Sequence, residues 1–183
     1  MPSWKSRSFR RVVGGMAACM AAGLAFARAD EAAEFSGPGA FAHLQAICDL
    51  GPRPSGSAAM VKQRAMLAEH FRAAGGTVSG QAFTIRDPRT GTPVHMENLL
   101  VEWHPDRPER VLVGAHYDTR PFPDRDPVDP KGTFVGANDG ASGVALLMEL
   151  ARAMPALATP VGVDFVLFDG EEYVFSQRDP YFL

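Results

Sequence analysis

"VDFVLFDGEE", residues 163–172, opens as a strand and ends as a cluster of acids. Val163 to Phe168 is a largely β-branched and aromatic run of the kind that fills a buried strand, and Asp169, Gly170, Glu171 and Glu172 stop it abruptly. Three carboxylates within four residues repel one another, by ~4 kcal/mol for each close pair at an intermediate dielectric, unless a positive charge sits among them. Upstream, "RVLVGAHYD" (110–118) is a second apolar strand, expected to be buried on both faces. Between the two lie a Pro- and Asp-rich loop (119–131), "GTFVGANDGASG" and an amphipathic helix over 141–153, with Val144, Leu147, Met148 and Ala151 at helical spacing. Strand, loop, helix and strand in that order make a βαβ unit, which requires a parallel pair and a right-handed crossover. The class is therefore α/β, with helices over a mixed sheet.

The segments before this unit fit the same plan. "GAFAHLQAICDL" reads as a short helix with Phe41, Leu44, Ile47 and Cys48 on one face. "GPRPSGS" (51–57) is a rigid connector, and Ser57 is positioned to cap a helix that runs to Ala74 and buries Val61, Ala65, Ala68 and Phe71 or their neighbours. Gly75-Gly76 ends that helix. Residues 77–85 and 94–103 alternate as strands around the turn cluster "DPRTGTP" (87–93), which predicts a hairpin at a sheet edge.

The first 29 residues belong to a different category. Lys5, Arg7, Arg10 and Arg11 precede sixteen apolar residues (12–27), and Ala27-Arg28-Ala29 places small residues at both positions of a cleavage site. This order predicts an export signal over 1–29, with a single domain over 30–183 in the periplasm or outside the cell. A membrane anchor is the weaker reading, because the run is short and rich in Gly and Ala. Without those residues the chain carries 13 basic against 21 acidic residues, a formal charge of −8. That balance argues against nucleic acid as a partner, and against stable membrane association once the signal is removed. Cys48 would then be alone, so no intrachain disulfide is expected, and its reading is a small core residue on a helix.

In α/β sheets, binding residues collect beyond the C-terminal ends of the strands. His116 and Asp118 end one strand, Asp139 precedes the crossover helix, and Glu171 and Glu172 follow the other strand. One imidazole and several carboxylates converging on a crevice form the ligand set of a dication, most naturally zinc. Asp118, two residues after His116, points the same way along a strand and can fix the ring's tautomer. Adjacent Glu171 and Glu172 diverge, so that one can ligate while the other handles protons. Each piece has a plainer reading: a hydrogen-bonded His–Asp pair, a helix cap at Asp139, a solvated helix start at the paired glutamates. Their joint placement around one βαβ unit favours the metal. His43, His70, His95 and His104 lack partner spacing, and Asp124, Asp126 and Asp129 lack the spacing of a calcium loop.

"GPRPSGS", "ENLLVEW", "VLVGAHYDTR", "GANDGASGVALLMELAR" and "FVLFDGEE", in this order, resemble metallopeptidase family 28. That family comprises the zinc aminopeptidases, with which the glutaminyl-peptide cyclotransferases share a fold. The resemblance implies a three-layer α/β/α sandwich around a mixed, largely parallel sheet, one or two zinc ions, and peptide or protein N-termini as substrates. It implies that His116, Asp139 and Glu172 are zinc ligands, with a cis peptide often following the aspartate matched by Asp139. Asp118 is then the carboxylate behind His116 and Glu171 the general acid/base.

Within the family, "FDGEE", "HYD" and the extended "YVFSQRDPYFL" after Glu172 resemble the cyclases, whereas "GASG" resembles the aminopeptidases. The expected activity is conversion of N-terminal glutamine to pyroglutamate. Hydrolysis of the first peptide bond is the alternative, and a non-catalytic binding module a more distant one. The family pattern continues with a further acidic residue, more strands and a late histidine. The chain is therefore expected to be the N-terminal portion of such a domain and inactive by itself.

Overall fold

The computed structural model describes residues 34–175. The predicted signal over residues 1–29 lies outside them, and among the described residues no helix is long and apolar enough to cross a membrane.

Helix α1 spans Gly37–Cys48, started by Ser36, whose hydroxyl accepts from the Gly39 N–H. Helix α2 spans Ala58–Ala73, with the Ser57 hydroxyl accepting from Met60 N. It ends as "Gly75-Gly76" predicts: Gly75 takes φ +94°, and the N–H groups of Gly75 and Gly76 close on the carbonyls of Arg72 and Phe71. Strands β1 (Thr77–Arg86) and β2 (Pro93–Trp103) form the predicted hairpin, Val78 opposite Val101 and Phe83 opposite Met96. Strand β3 (Arg110–His116) leads through a long loop and a kinked turn at Ala137–Ala141 into helix α3 (Ser142–Ala151). Strand β4 (Gly162–Phe168) closes the crossover.

The sheet order is β1-β2-β4-β3. β4 lies parallel to β3, with His116 opposite Phe168, and antiparallel to β2. The mixed sheet is as expected, although two of the three described pairings are antiparallel. The core lies between the sheet and α1–α3. Leu99, Val101 and Trp103 of β2 and Phe165 and Leu167 of β4 meet Leu67, Phe71, Val144 and Leu147 there. The described helices all pack on this face.

Three expectations about burial shift. Among the described residues β3 is not covered on both faces: Leu112 is 62% exposed and Val111 49%. β3 borders the described sheet and pairs only with β4, so β4 takes the central position that β3's apolar sequence predicts for itself. On α2 the buried side chains are Met60, Gln63, Leu67, Ala68 and Phe71, with Val61 and Ala65 outside. The inward stripe is rotated by about one residue from the predicted one, a small change at 3.6 residues per turn. Phe41 of α1 is exposed, while Leu44, Ile47 and Cys48 face the core.

Candidate metal centre

The parallel pairing of β3 with β4 brings their C-terminal ends side by side, and the site forms in the crevice beyond them. His116 is the last residue of β3 and about one-fifth exposed. Its Nδ1 lies 3.5 Å from Asp118 Oδ1 and 3.7 Å from Glu171 Oε2, and its Nε2 lies 3.2 Å from Asp139 Oδ1. One ring thus faces a carboxylate on each side. Asp139 does not act as a helix cap, because the first turn of α3 has no side-chain cap. Asp139 is held in a non-helical kink (φ −94°, ψ 100°), and Gly140 at φ +97° turns the chain onward into α3. A Cβ on Gly140 would stand 2.8 Å from the Asp118 carbonyl oxygen and 3.2 Å from His116 Cε1, so the ring and this turn need glycine. No described peptide bond is cis, so the link from Asp139 to Gly140 is trans and the positive φ of Gly140 makes the bend.

The two glutamates diverge, as adjacent residues at a strand end should. Glu171 turns to His116, and its buried Oε2 has no hydrogen-bond partner. Glu172 turns the other way, into an ion pair with Arg120, whose Nη2 donates to Glu172 Oε1 at 3.2 Å. Arg120 also holds Asp124 at 2.6 Å. Both ends of the Arg120–Glu172 pair are almost fully buried. Asp118 is fully buried. Its Oδ2 accepts the Glu172 backbone N–H at 2.9 Å, which ties the end of β3 to the turn after β4.

Electrostatics follow from this crowding. Burial opposes charging the His116 ring, but the nearby carboxylates of Asp118, Glu171 and Asp139 outweigh it and push the ring up to about 9. Burial, with the charges of Asp139 and Glu171, pushes Glu172 up to about 7 against the pull of Arg120. Burial likewise raises Asp169 to about 6, although Ser55 and the Glu97 N–H donate to it. Carboxylates in excess, held at the edge of water, are the setting that a dication relieves.

The donor set suits zinc in kind: an imidazole with one nitrogen toward Asp118 and the other toward Asp139 is the arrangement of a ligand histidine with its orienting carboxylate. It is not drawn together around an ion. Among the described residues no three such groups enclose a metal position, and Glu172 is held by Arg120. His116, Asp118, Asp139 and Glu171 are gathered as the sequence predicts, with Glu172 adjacent. Arg120 is a participant that the motif reading misses. Its signal is the cation two residues after Asp118, at the start of the Pro- and Asp-rich loop. The remaining histidines take ordinary partners: His70 and His104 bond the Met148 and Met154 carbonyls, His95 bonds Thr84, and His43 faces Glu149 at 3.7 Å.

The sequence profile of peptidase family M28 matches residues 98–177, which contain all five predicted site positions. Residues 98–177 thus carry the sequence pattern of peptidase family M28. Among solved structures it is similar to the glutaminyl cyclase of Fimbriiglobus ruber, at 44% identity and a TM-score of 0.75, over 76% of this chain and 47% of that one. It is also similar to a leucine aminopeptidase precursor from Bacteroides thetaiotaomicron, at 30% identity and a TM-score of 0.75, over 81% and 52%. A glutaminyl-peptide cyclotransferase-like protein of Mus musculus is 32% identical over 129 residues, 66% of this chain and 32% of the relative. The chain thus spans about half the length of these structures and about a third of the mouse relative. The family's α/β fold is the one described above.

Proposed function

We propose that the protein is a zinc-dependent enzyme of the glutaminyl-peptide cyclotransferase type. It would convert the N-terminal glutamine of a peptide or protein to pyroglutamate with release of ammonia. The observation that carries this reading is the division between the glutamates: Glu172 is tied to Arg120, while Glu171 presents an unpartnered oxygen beside His116. His116, Asp139 and Glu172 would hold the metal. Bound zinc would polarise the γ-amide carbonyl of the substrate glutamine. Glu171 takes a proton from the α-amine as its nitrogen bonds the carbonyl carbon of the side-chain amide, Cδ, and returns it to the amide nitrogen as the old carbon–nitrogen bond breaks. The proton count closes on ammonia. Asp118 holds the His116 ring through these steps and anchors the Glu172 backbone.

A second reading has its own support. The likeness to the leucine aminopeptidase precursor and the "GASG" after Asp139 favour hydrolysis of the first peptide bond, with Glu171 taking the proton of the attacking water. The predicted export signal supports an activity outside the cytoplasm, and the acidic balance beyond residue 29 speaks against nucleic acid as a partner. A Gln-initiated and a Leu-initiated peptide, offered separately to the full-length protein with and without chelator, separate the readings. Chelator-sensitive loss of ammonia from the first supports the cyclase, and release of leucine from the second supports the peptidase. Glu171→Gln is expected to abolish turnover and spare zinc content. Unchanged turnover removes Glu171 from the mechanism.

A further inference from the structure

"GPRPSGS" reads in the sequence as a connector, but its first serine, Ser55, reaches the site from behind. Ser55 is buried. Its hydroxyl lies 2.6 Å from Asp169 Oδ1 and 3.4 Å from Asp118 Oδ2, so one O–H stands between two buried carboxylates. The loop that carries it is fixed on both sides. Upstream, Arg53 N donates to Thr119 Oγ1 at 2.9 Å and Thr119 N returns to the Arg53 carbonyl at 3.2 Å. Downstream, Ser57 caps α2. Asp169 in turn accepts the Glu97 N–H on its second oxygen, and its own N–H donates to Asn98 Oδ1. A continuous polar path therefore runs from β2 through Asp169 and Ser55 to Asp118, and ends on the His116 ring and the Glu172 N–H.

We infer that Ser55 is a positioning residue for the site: by spacing Asp169 from Asp118 it holds Asp118 with one oxygen on the Glu172 N–H and the other facing His116 Nδ1. The hydroxyl has a single proton and sits closer to Asp169, so it fixes Asp169 directly and Asp118 by close contact. Removing it leaves two carboxylates facing a small void, and Asp118 is free to turn away from the ring. This inference rests on reading His116 as part of a zinc centre, and partners at this remove set ligand affinity by orienting the ligands.

The test compares Ser55→Ala with Ser55→Thr in the full-length protein. Two readouts are used: zinc affinity by calorimetry, and the His116 ring ¹⁵N resonances in the metal-free protein. Ser55→Ala is expected to weaken zinc binding about 10-fold and to move the His116 resonances. Ser55→Thr, which keeps a hydroxyl, is expected to restore both. Unchanged resonances and affinity in Ser55→Ala overturn the inference, and so does equal impairment of the two variants. If the full-length wild type binds no zinc, the zinc-centre reading fails, while the metal-free His116 resonances still decide the role of Ser55.

Discussion

Replacing Arg120 by methionine isolates the interaction that sets Glu172 apart from Glu171. Arg120 and Glu172 keep only 8% and 6% of their side chains exposed, so solvent does little to screen the pair or to replace a lost partner. Breaking a buried pair from one side costs about 3–5 kcal/mol, because the remaining charge stays buried. Here the cost should depend on pH. Burial already raises Glu172 to about 7 with Arg120 present, and Arg120 is the group that lowers it. Without Arg120 the carboxyl climbs further and folds in its neutral form. A carboxyl raised above its unfolded value stabilises the fold below that value and loses the contribution as pH rises through the folded one. The variant's deficit should therefore be largest near about pH 8, and smaller near about pH 5 by roughly 1.4 kcal/mol for each unit by which Glu172 rises. Urea unfolding of both proteins at the two pH values, without metal, measures it. In heat the alkaline deficit corresponds to a fall of about 10 °C in the melting temperature. A deficit below about 1 kcal/mol, or one equal at both pH values, would refute the claim that Arg120 neutralises a buried Glu172.

Two further outcomes follow from the same crevice. Asp169 is raised by burial from 3.8 to about 6, so its contribution to stability is complete below its unfolded value and fades as pH rises through 6. The stability of the wild type relative to Asp169→Asn should fall by about 2 kcal/mol between about pH 4 and about pH 8, read from denaturant curves of the metal-free proteins. A flat difference would mean that Asp169 does not titrate out of its ordinary range. Gly140→Ala places a methyl against the Asp118 carbonyl and the His116 ring at a positive φ, and should cost about 1–3 kcal/mol while weakening zinc binding. Full stability with unaltered zinc affinity would show that the turn tolerates a side chain.

Much of the architecture is legible because it rests on local chemistry. The Ser57 cap, the Gly75-Gly76 stop, the "DPRTGTP" turn and the helical spacing of Val144, Leu147, Met148 and Ala151 are each set by neighbours in sequence, and each appears where predicted. The parallel β3–β4 pair follows from the crossover rule, and with it the meeting of His116, Asp118, Asp139 and Glu171. Properties that depend on which strand lies beside which are not legible in this way. "RVLVGAH" is as apolar as a central strand, yet it borders the described sheet, and only the pairing order reveals that. The direction of Glu172 is equally hidden. Strand geometry says that it diverges from Glu171, but the guanidinium that receives it comes from a loop 52 residues earlier. Ser55 reaches Asp169 across 114 residues, a contact that no local pattern encodes.

In the proposed centre His116, Asp139 and Glu172 hold zinc, with Glu171 beside the His116 ring. Zinc X-ray absorption of the protein equilibrated with the metal and then dialysed tests it most directly, with His116→Ala, Asp139→Ala and Glu172→Gln alongside. The predicted result is retained zinc with nitrogen and oxygen ligands that include imidazole, and a spectrum or zinc content altered in each variant. A wild-type protein that retains no zinc, or a spectrum that all three substitutions leave unchanged, would contradict it.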